Sequence, residues 1–299
     1  RVLFRSQAYV AISTASDSST PVLVADMVYR KTKANDYFEL LGNLKTALDD
    51  GQLTMHFQPQ INLRNGEIEH VEALMRWKHP TLGDIPPANF IPRAESSTLI
   101  DRLTYFAIDD SLAQVVILRK RGVNIRVAAN ISARNLSQPQ FVYQVMTLLN
   151  KHELDGSSLE LELTESSLMQ DANNAIHVLD KIEKLGVSIS SDDFGTGYSS
   201  LQYLQRLPVS IIKIDQSFIK KLANSRETFH IVEVIISLAH RLDMKAIAEG
   251  VEDLETLLLL REMGCDMAQG YLIARPCSPE EFGSWYLKCG GGYQIGKPI

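Results

Sequence analysis

From about residue 53 onward the sequence alternates short apolar runs, rich in β-branched residues, with helical patterns of about 10 to 20 residues. A chain written in that rhythm builds βα units around a parallel sheet. Eight runs read as strands: Leu53 to Gln58, Ile68 to Leu74, Ile125 to Asn130, Leu159 to Leu163, Val187 to Ser191, Ile211 to Ile214, Lys245 to Ala248 and Asp266 to Gln269. Asn65-Gly66 between the first two is a hairpin signal, so those two run antiparallel, while helices separate the others. The expected fold is α/β, a (β/α)8 barrel with one reversed strand, and the alternative is an open doubly wound sheet. The 299 residues suit one barrel of about 250 residues with a short annex.

Composition narrows the function classes. Thirty Lys+Arg against 36 Asp+Glu give a net charge of −6, and with 45% apolar residues the chain can fill a core. There is no basic run of five or more, so a nucleic acid polymer is not an expected partner. No apolar stretch approaches the roughly 18 residues that cross a bilayer. Cys265, Cys277 and Cys289 are odd in number and contain no C-x-x-C pair, which argues against a disulfide framework or thiolate zinc site and for a cytoplasmic location. The chain opens on Arg1 without a secretory signal, as expected for a piece of a longer protein, whose membrane anchoring stays open. In the annex, Ser13 to Thr20 reads as a loop, and Asn35 to Asp50 as an amphipathic helix with Phe38, Leu41, Leu44 and Leu48 on one face. Gly290-Gly291-Gly292 reads as the start of a frayed tail.

In a barrel of parallel strands, functional side chains stand at the strand C-terminal ends. Here those positions hold Glu72, Asn130, Glu162 with Glu165, Asp192 with Asp193, Lys213, Glu249 and Gln269. One acid at a strand end is equally well explained as a helix cap, but a whole ring of oxygen donors is not. None of the seven histidines joins the ring, so the set suits Mg²⁺ or Mn²⁺ better than Zn²⁺. Carboxylates so crowded repel unless cations neutralise them, and the Asp192-Asp193 pair could bridge two ions. Two ions about 3.5–4 Å apart act naturally on a phosphodiester, activating a water and neutralising phosphate oxygens. Lys213 could orient that water. Gly195 to Ser200 reads as a mobile loop that couples the metals to an outer surface, with a tight βα turn as the plainer reading. Motifs for serine hydrolases, zinc proteases, P-loops and dinucleotide folds are missing.

At these residues the chain resembles a known family. Val71-Glu72-Ala73-Leu74-Met75-Arg76-Trp77 is similar to the signature of the EAL domains, bacterial phosphodiesterases specific for cyclic di-GMP. Seven further blocks stand in the family's order: Phe57-Gln58-Pro59-Gln60, Asn130-Ile131-Ser132, Glu162-Leu163-Thr164-Glu165-Ser166, the run from Asp192 to Ser200, Lys213-Ile214-Asp215, Glu249-Gly250-Val251-Glu252 and Gln269-Gly270-Tyr271. The resemblance as a whole covers about residue 39 to 287. Departures are few: Met75 replaces a more usual Leu, and Ser96-Ser97-Thr98 lacks a glycine.

The resemblance implies a modified TIM barrel with one antiparallel strand over residues 36–289, followed by a flexible tail over 290–299. It implies hydrolysis of cyclic di-GMP to linear pGpG with two divalent cations, Mg²⁺ or Mn²⁺. Glu72, Asn130, Glu162 and Asp192 would bind one cation, and Asp192, Asp193 and Glu249 the other. Lys213 would contact the nucleophilic water, and hydroxide held by the cations, rather than Glu249, would be the base. Glu165 would anchor the Asp193 to Ser200 loop. Arg76 would contact phosphate, with a surface ion pair as its alternative. Gln58, Leu74, Asp215, Glu252, Gln269 and Tyr271 would be the remaining substrate contacts, with barrel packing as the alternative for Tyr271. Ala25 to Lys31 is similar to the closing helix of GGDEF domains, so residues 1–35 would be the end of a degenerate GGDEF domain plus linker, and an upstream sensory or GGDEF domain is expected in the parent. The G-G-D-E-F motif itself is absent, and no cyclase activity is expected. A homodimer formed near the loop is implied by the family alone. The rival functions are a non-catalytic cyclic di-GMP receptor and an unrelated metal-dependent barrel enzyme.

Overall fold

Alternation with period two sorts each strand into two faces, and in this chain both faces are buried. In the computed structural model, which describes residues 40–196 and 204–295, the strand Leu159–Thr164 shows the pattern: Leu159, Leu161 and Leu163 line one face and Glu160 and Glu162 the other, all inaccessible to solvent. The strands are β1 (Leu53–Asn62), β2 (Ile68–His79), β3 (Gly83–Ile85), β4 (Arg126–Asn130), β5 (Leu159–Thr164), β6 (Ser188–Phe194), β7 (Ile211–Ile214), β8 (Lys245–Ala248) and β9 (Met267–Gln269). They are ordered β1-β9-β8-β7-β6-β5-β4-β2, and a β1–β2 pairing closes the ring into an eight-stranded barrel. β3 pairs antiparallel with the end of β2.

β2 and β4 to β9 run parallel, whereas β1 runs antiparallel to β9 through Gln60↔Gln269, Ile61↔Ala268 and Asn62↔Met267. This is the expected closed barrel with a reversed strand, and closure excludes the open sheet. Helices such as Leu99–Lys120, Phe141–Lys151 and Arg226–Arg241 fill the crossovers. Several start on a capping side chain: Ser225 accepts from Thr228 N–H, Asp253 from Thr256 N–H, and Ser278 forms a capping box with Glu281.

Three features differ from the sequence reading. β1 continues through Pro59 to Asn62, β2 to His79 and β6 to Phe194, which puts Asp192 and Asp193 inside their strand. β3 spans three residues, too few to carry a periodic signal. The glycine run at 290–292 is tied down where a frayed end was expected. Gly291 O accepts from Ile68 N–H at 3.0 Å, Tyr293 N–H donates to Gly66 O at 2.7 Å, and Tyr293 is buried. Gly66 permits this docking: its φ is +78°, and a Cβ there would lie 2.5 Å from Tyr293 O.

The described residues divide into two compact units, one comprising 40–52 with Trp77–Ser97, the other Leu53–Arg76 with those from Thr98 on. In the first, Trp77 packs edge-on against Phe90 at 5.4 Å, and its Nε1 donates to Gln52 Oε1 at 3.3 Å. The second holds the barrel. Residues 40–49 are helical, within the expected Asn35 to Asp50 helix. The readings placed on residues 1–35, on 35–39 and on 197–200 lie outside the described residues. Among the described residues no helix is long and apolar enough to cross a membrane, and the three cysteines are unpaired.

Candidate active site

Side chains two residues apart on a strand share a face, so the barrel interior is stacked in layers. Below Lys213, Glu249 and Gln269 lies an apolar layer of Ile211, Ile247 and Met267, all buried in one cluster. The layer below Glu72 and Glu162 is polar: His70 and Glu160 are buried, with His70 Nδ1 3.5 Å from Glu160 Oε2.

The layer above converges on one ammonium. Lys213 Nζ, with no solvent exposure, lies 2.7 Å from Glu162 Oε2, 2.7 Å from Glu249 Oε1, 3.3 Å from Asp192 Oδ1 and 3.5 Å from Glu72 Oε2. These carboxylates come from β2, β5, β6 and the residue after β8, so only closure of the barrel brings them together. Desolvation opposes the charge on Lys213, yet Asp192, Glu162, Glu249 and Glu72 push its pKa well above the ordinary lysine value.

The acids divide by environment. Desolvation would raise Glu72, but the Lys213 charge and hydrogen bonds from Gln269 and Asn130 hold it below the usual carboxylate value. Asn130 Nδ2 donates to Glu72 Oε1 at 2.9 Å and Gln269 Nε2 to Glu72 Oε2 at 2.6 Å. Glu162 goes well above the usual value, because desolvation, with repulsion from Glu72, Asp192 and Glu160, outweighs Lys213. Desolvation also pushes Glu249 up to about 8 despite Lys213, with Asp192 and Glu72 adding repulsion. Asp193 is raised by desolvation and then by Asp192 and Asp215.

Asp193 has φ +55°, a left-handed conformation uncommon for a residue with a side chain, and it lies in the register shift between Ser191 and Phe194 on β6. Its N–H donates to Asp192 Oδ1 at 3.0 Å. Asp192, Asp193 and Glu249 each offer an oxygen, all within 4.8 Å of one another. Glu162 Oε1, fully buried, has no hydrogen-bond partner. Such an orphaned carboxyl oxygen beside a tight trio of acids, with one lysine for so many of them, fits hard divalent cations by donor type and by charge.

A glutamine network flanks the acids. Gln60 Nε2 donates to Gln269 Oε1 at 2.9 Å, Gln269 Nε2 to Gln58 Oε1 at 3.0 Å, and Gln58 Nε2 to Ala274 O at 3.1 Å. Gln60, quoted in the family block but given no role there, stands two residues from Gln58, which puts both on one strand face. Gly270 lets the end of β9 close against the segment after β8, since a Cβ there would lie 2.1 Å from Val251 O.

The other expected site residues are placed as follows. Glu165 opens the helix Glu165–Gln170, is buried, and its Oε2 accepts from Gly195 N–H at 3.0 Å, immediately after β6. Arg76 is half-buried and its Nη1 donates to Met75 O at 2.9 Å, and among the described residues it forms no ion pair. Leu74 is half-buried on β2. Asp215 caps the helix Gln216–Ile219 by accepting from Ser217 N–H. Glu252 forms an exposed ion pair with Lys220 at 3.1 Å, a partner the sequence reading missed. Tyr271 is 52% exposed, so it is not barrel packing, and the Arg275 guanidinium lies over its ring at 4.2 Å.

The chain matches the family model described as EAL domain over residues 42–276. It is 40% identical over 249 residues to cyclic di-GMP phosphodiesterase PA2567 of Pseudomonas aeruginosa, covering 83% of this chain and 42% of that protein. It is 39% identical over 253 residues to cyclic di-GMP phosphodiesterase PdeR of Escherichia coli, covering 85% of this chain and 38% of that protein. The chain thus spans less than half the length of these relatives. Among solved structures, the PaMucR phosphodiesterase in complex with c-di-GMP superposes with a TM-score of 0.78 at 40% identity, covering 82% of this chain and 99% of that one.

Proposed function

Because the chain belongs to the EAL domain family, we propose that its barrel mouth hydrolyses cyclic di-GMP to linear 5′-pGpG with two divalent cations, Mg²⁺ or Mn²⁺. The observation that carries this reading is the convergence of Glu72, Glu162, Asp192 and Glu249 within 3.5 Å of Lys213 Nζ. Glu72, Asn130, Glu162 and Asp192 would hold one cation, and Asp192, Asp193 and Glu249 the other. When bound, the cations neutralise phosphate oxygens and make a water acidic enough to attack phosphorus. Lys213, held between Glu162 and Glu249, would hold that water as one P–O3′ bond opens. Arg76, which forms no ion pair among the described residues and follows Glu72 by four residues on β2, suits the phosphate. Gln58, Leu74, Asp215, Glu252, Gln269 and Tyr271 stand for the nucleotide contacts, with Glu252 leaving Lys220 when it binds.

Incubation with cyclic di-GMP and Mn²⁺ should yield pGpG, and EDTA should stop the reaction. Intact nucleotide recovered at stoichiometric occupancy would instead establish the receptor reading, and no binding by calorimetry would point to another metal-dependent barrel enzyme. In the parent protein, we place a sensory or GGDEF-like segment ahead of residues 36–289 and a homodimer near the segment after β6, which concentration-dependent light scattering tests.

Glu165 holds the backbone of Gly195, two residues beyond Asp193. Glu165→Ala should therefore lower turnover roughly 10- to 100-fold, because small displacements of a reacting group are costly. Wild-type turnover in that variant would remove the anchoring role.

A further inference from the structure

The segment after β9 is a single helical turn held from three sides. Ile273 and Ala274 N–H donate to Gly270 O at 3.1 and 3.2 Å, Leu272 N–H to Val251 O at 3.1 Å, and Gln58 Nε2 grips Ala274 O. Residues four apart on such a turn face each other, which brings the guanidinium of Arg275 over the ring of Tyr271, 4.2 Å from its centroid. Tyr271 nevertheless stays 52% exposed. An aromatic ring that is braced on one face and open elsewhere is built as a platform rather than as core. It stands two residues beyond Gln269, whose amide bonds Glu72.

We propose that Arg275 is a positioning residue that fixes the Tyr271 ring as a stacking platform for a purine base of the substrate; this rests on the phosphodiester reading above. The guanidinium occupies one ring face and biases the rotamers of both side chains before substrate arrives, so a base stacks on the remaining surface at a lower ordering cost. A base–aromatic stack tolerates any base but requires a flat ring system, so the platform serves the purine end of the substrate and leaves the phosphate chemistry untouched.

Steady-state kinetics on two substrates test this. For Arg275→Gln, KM for cyclic di-GMP should rise about two- to fivefold with kcat within twofold, while kcat/KM for methyl p-nitrophenyl phosphate, a diester without a purine, stays unchanged. Arg275→Lys, which keeps a cation but loses the flat guanidinium, should recover part of the loss. Unchanged KM for cyclic di-GMP in Arg275→Gln, or an equal loss on both substrates, overturns the assignment while leaving the parent reading intact. Absence of cyclic di-GMP turnover in the wild type overturns both.

Discussion

Glu72→Gln is expected to cut cyclic di-GMP hydrolysis at least about a thousandfold, equivalent to about 4 kcal/mol of lost transition-state stabilisation. The amide keeps the shape and can still bond to Asn130 or Gln269, so what is removed is charge. Glu72 is the carboxylate held below its ordinary pKa, by Lys213 and by the amide donors against desolvation, and is thus a permanent anion. A group kept ionised next to others that drift toward neutrality is the dependable ligand of the set. Titration calorimetry with Mn²⁺ should show one site weakened in the variant, while the fold, read by circular dichroism, is unchanged. Turnover above a tenth of wild type would remove Glu72 from the cation site.

The second large effect is on stability. Lys213→Met keeps an unbranched side chain of similar length in a site without solvent access but withdraws the one charge that Glu72, Glu162, Asp192 and Glu249 share. Breaking a buried ionic cluster from one side typically costs about 3–5 kcal/mol, and urea denaturation in EDTA at neutral pH should show a loss of that order. Mn²⁺ should restore much of it, since the cations compensate the same carboxylates. Equal urea midpoints for variant and wild type in EDTA would show that the acids are neutral without the lysine.

The wild type carries a related pH signature. Glu249 has its folded pKa raised from 4.5 to about 8, so its contribution to stability is complete below 4.5 and lost as pH rises through 8. Glu162, also raised, acts in the same direction. Lys213, raised above 10.5, keeps its contribution throughout that window. Metal-free protein should therefore lose stability between about pH 4.5 and 8, and protein saturated with Mn²⁺ should lose less.

The barrel and the convergence of its polar mouth were readable because apolar strand runs alternate with helical patterns along the chain, and the acids of β2, β5 and β6 sit toward the ends of those runs. Register across the ring is not local information, and neither is anything that depends on it. That Lys213 is shared by acids from separate strands emerges only on closure, as does the grip of Gln269 on Glu72. Asp215 and Glu252 take substrate roles from the family resemblance alone, and sequence order gives no hint that their side chains are engaged as a helix cap and with Lys220, because short-range partners compete for any exposed acid. Arg275 was invisible because one isolated turn carries no periodicity. The docking of Tyr293 was missed for the opposite reason: three consecutive glycines usually mean freedom, and here they admit a close backbone approach.

That docking has a practical consequence. The turn at Gly66 joins the end of β1 to the start of β2, at the pole of the barrel opposite the acids, so Tyr293 is stapled to the floor. A reporter or surface tether joined behind that staple would leave from the blind end, and the immobilised protein would present its open cup to the solution.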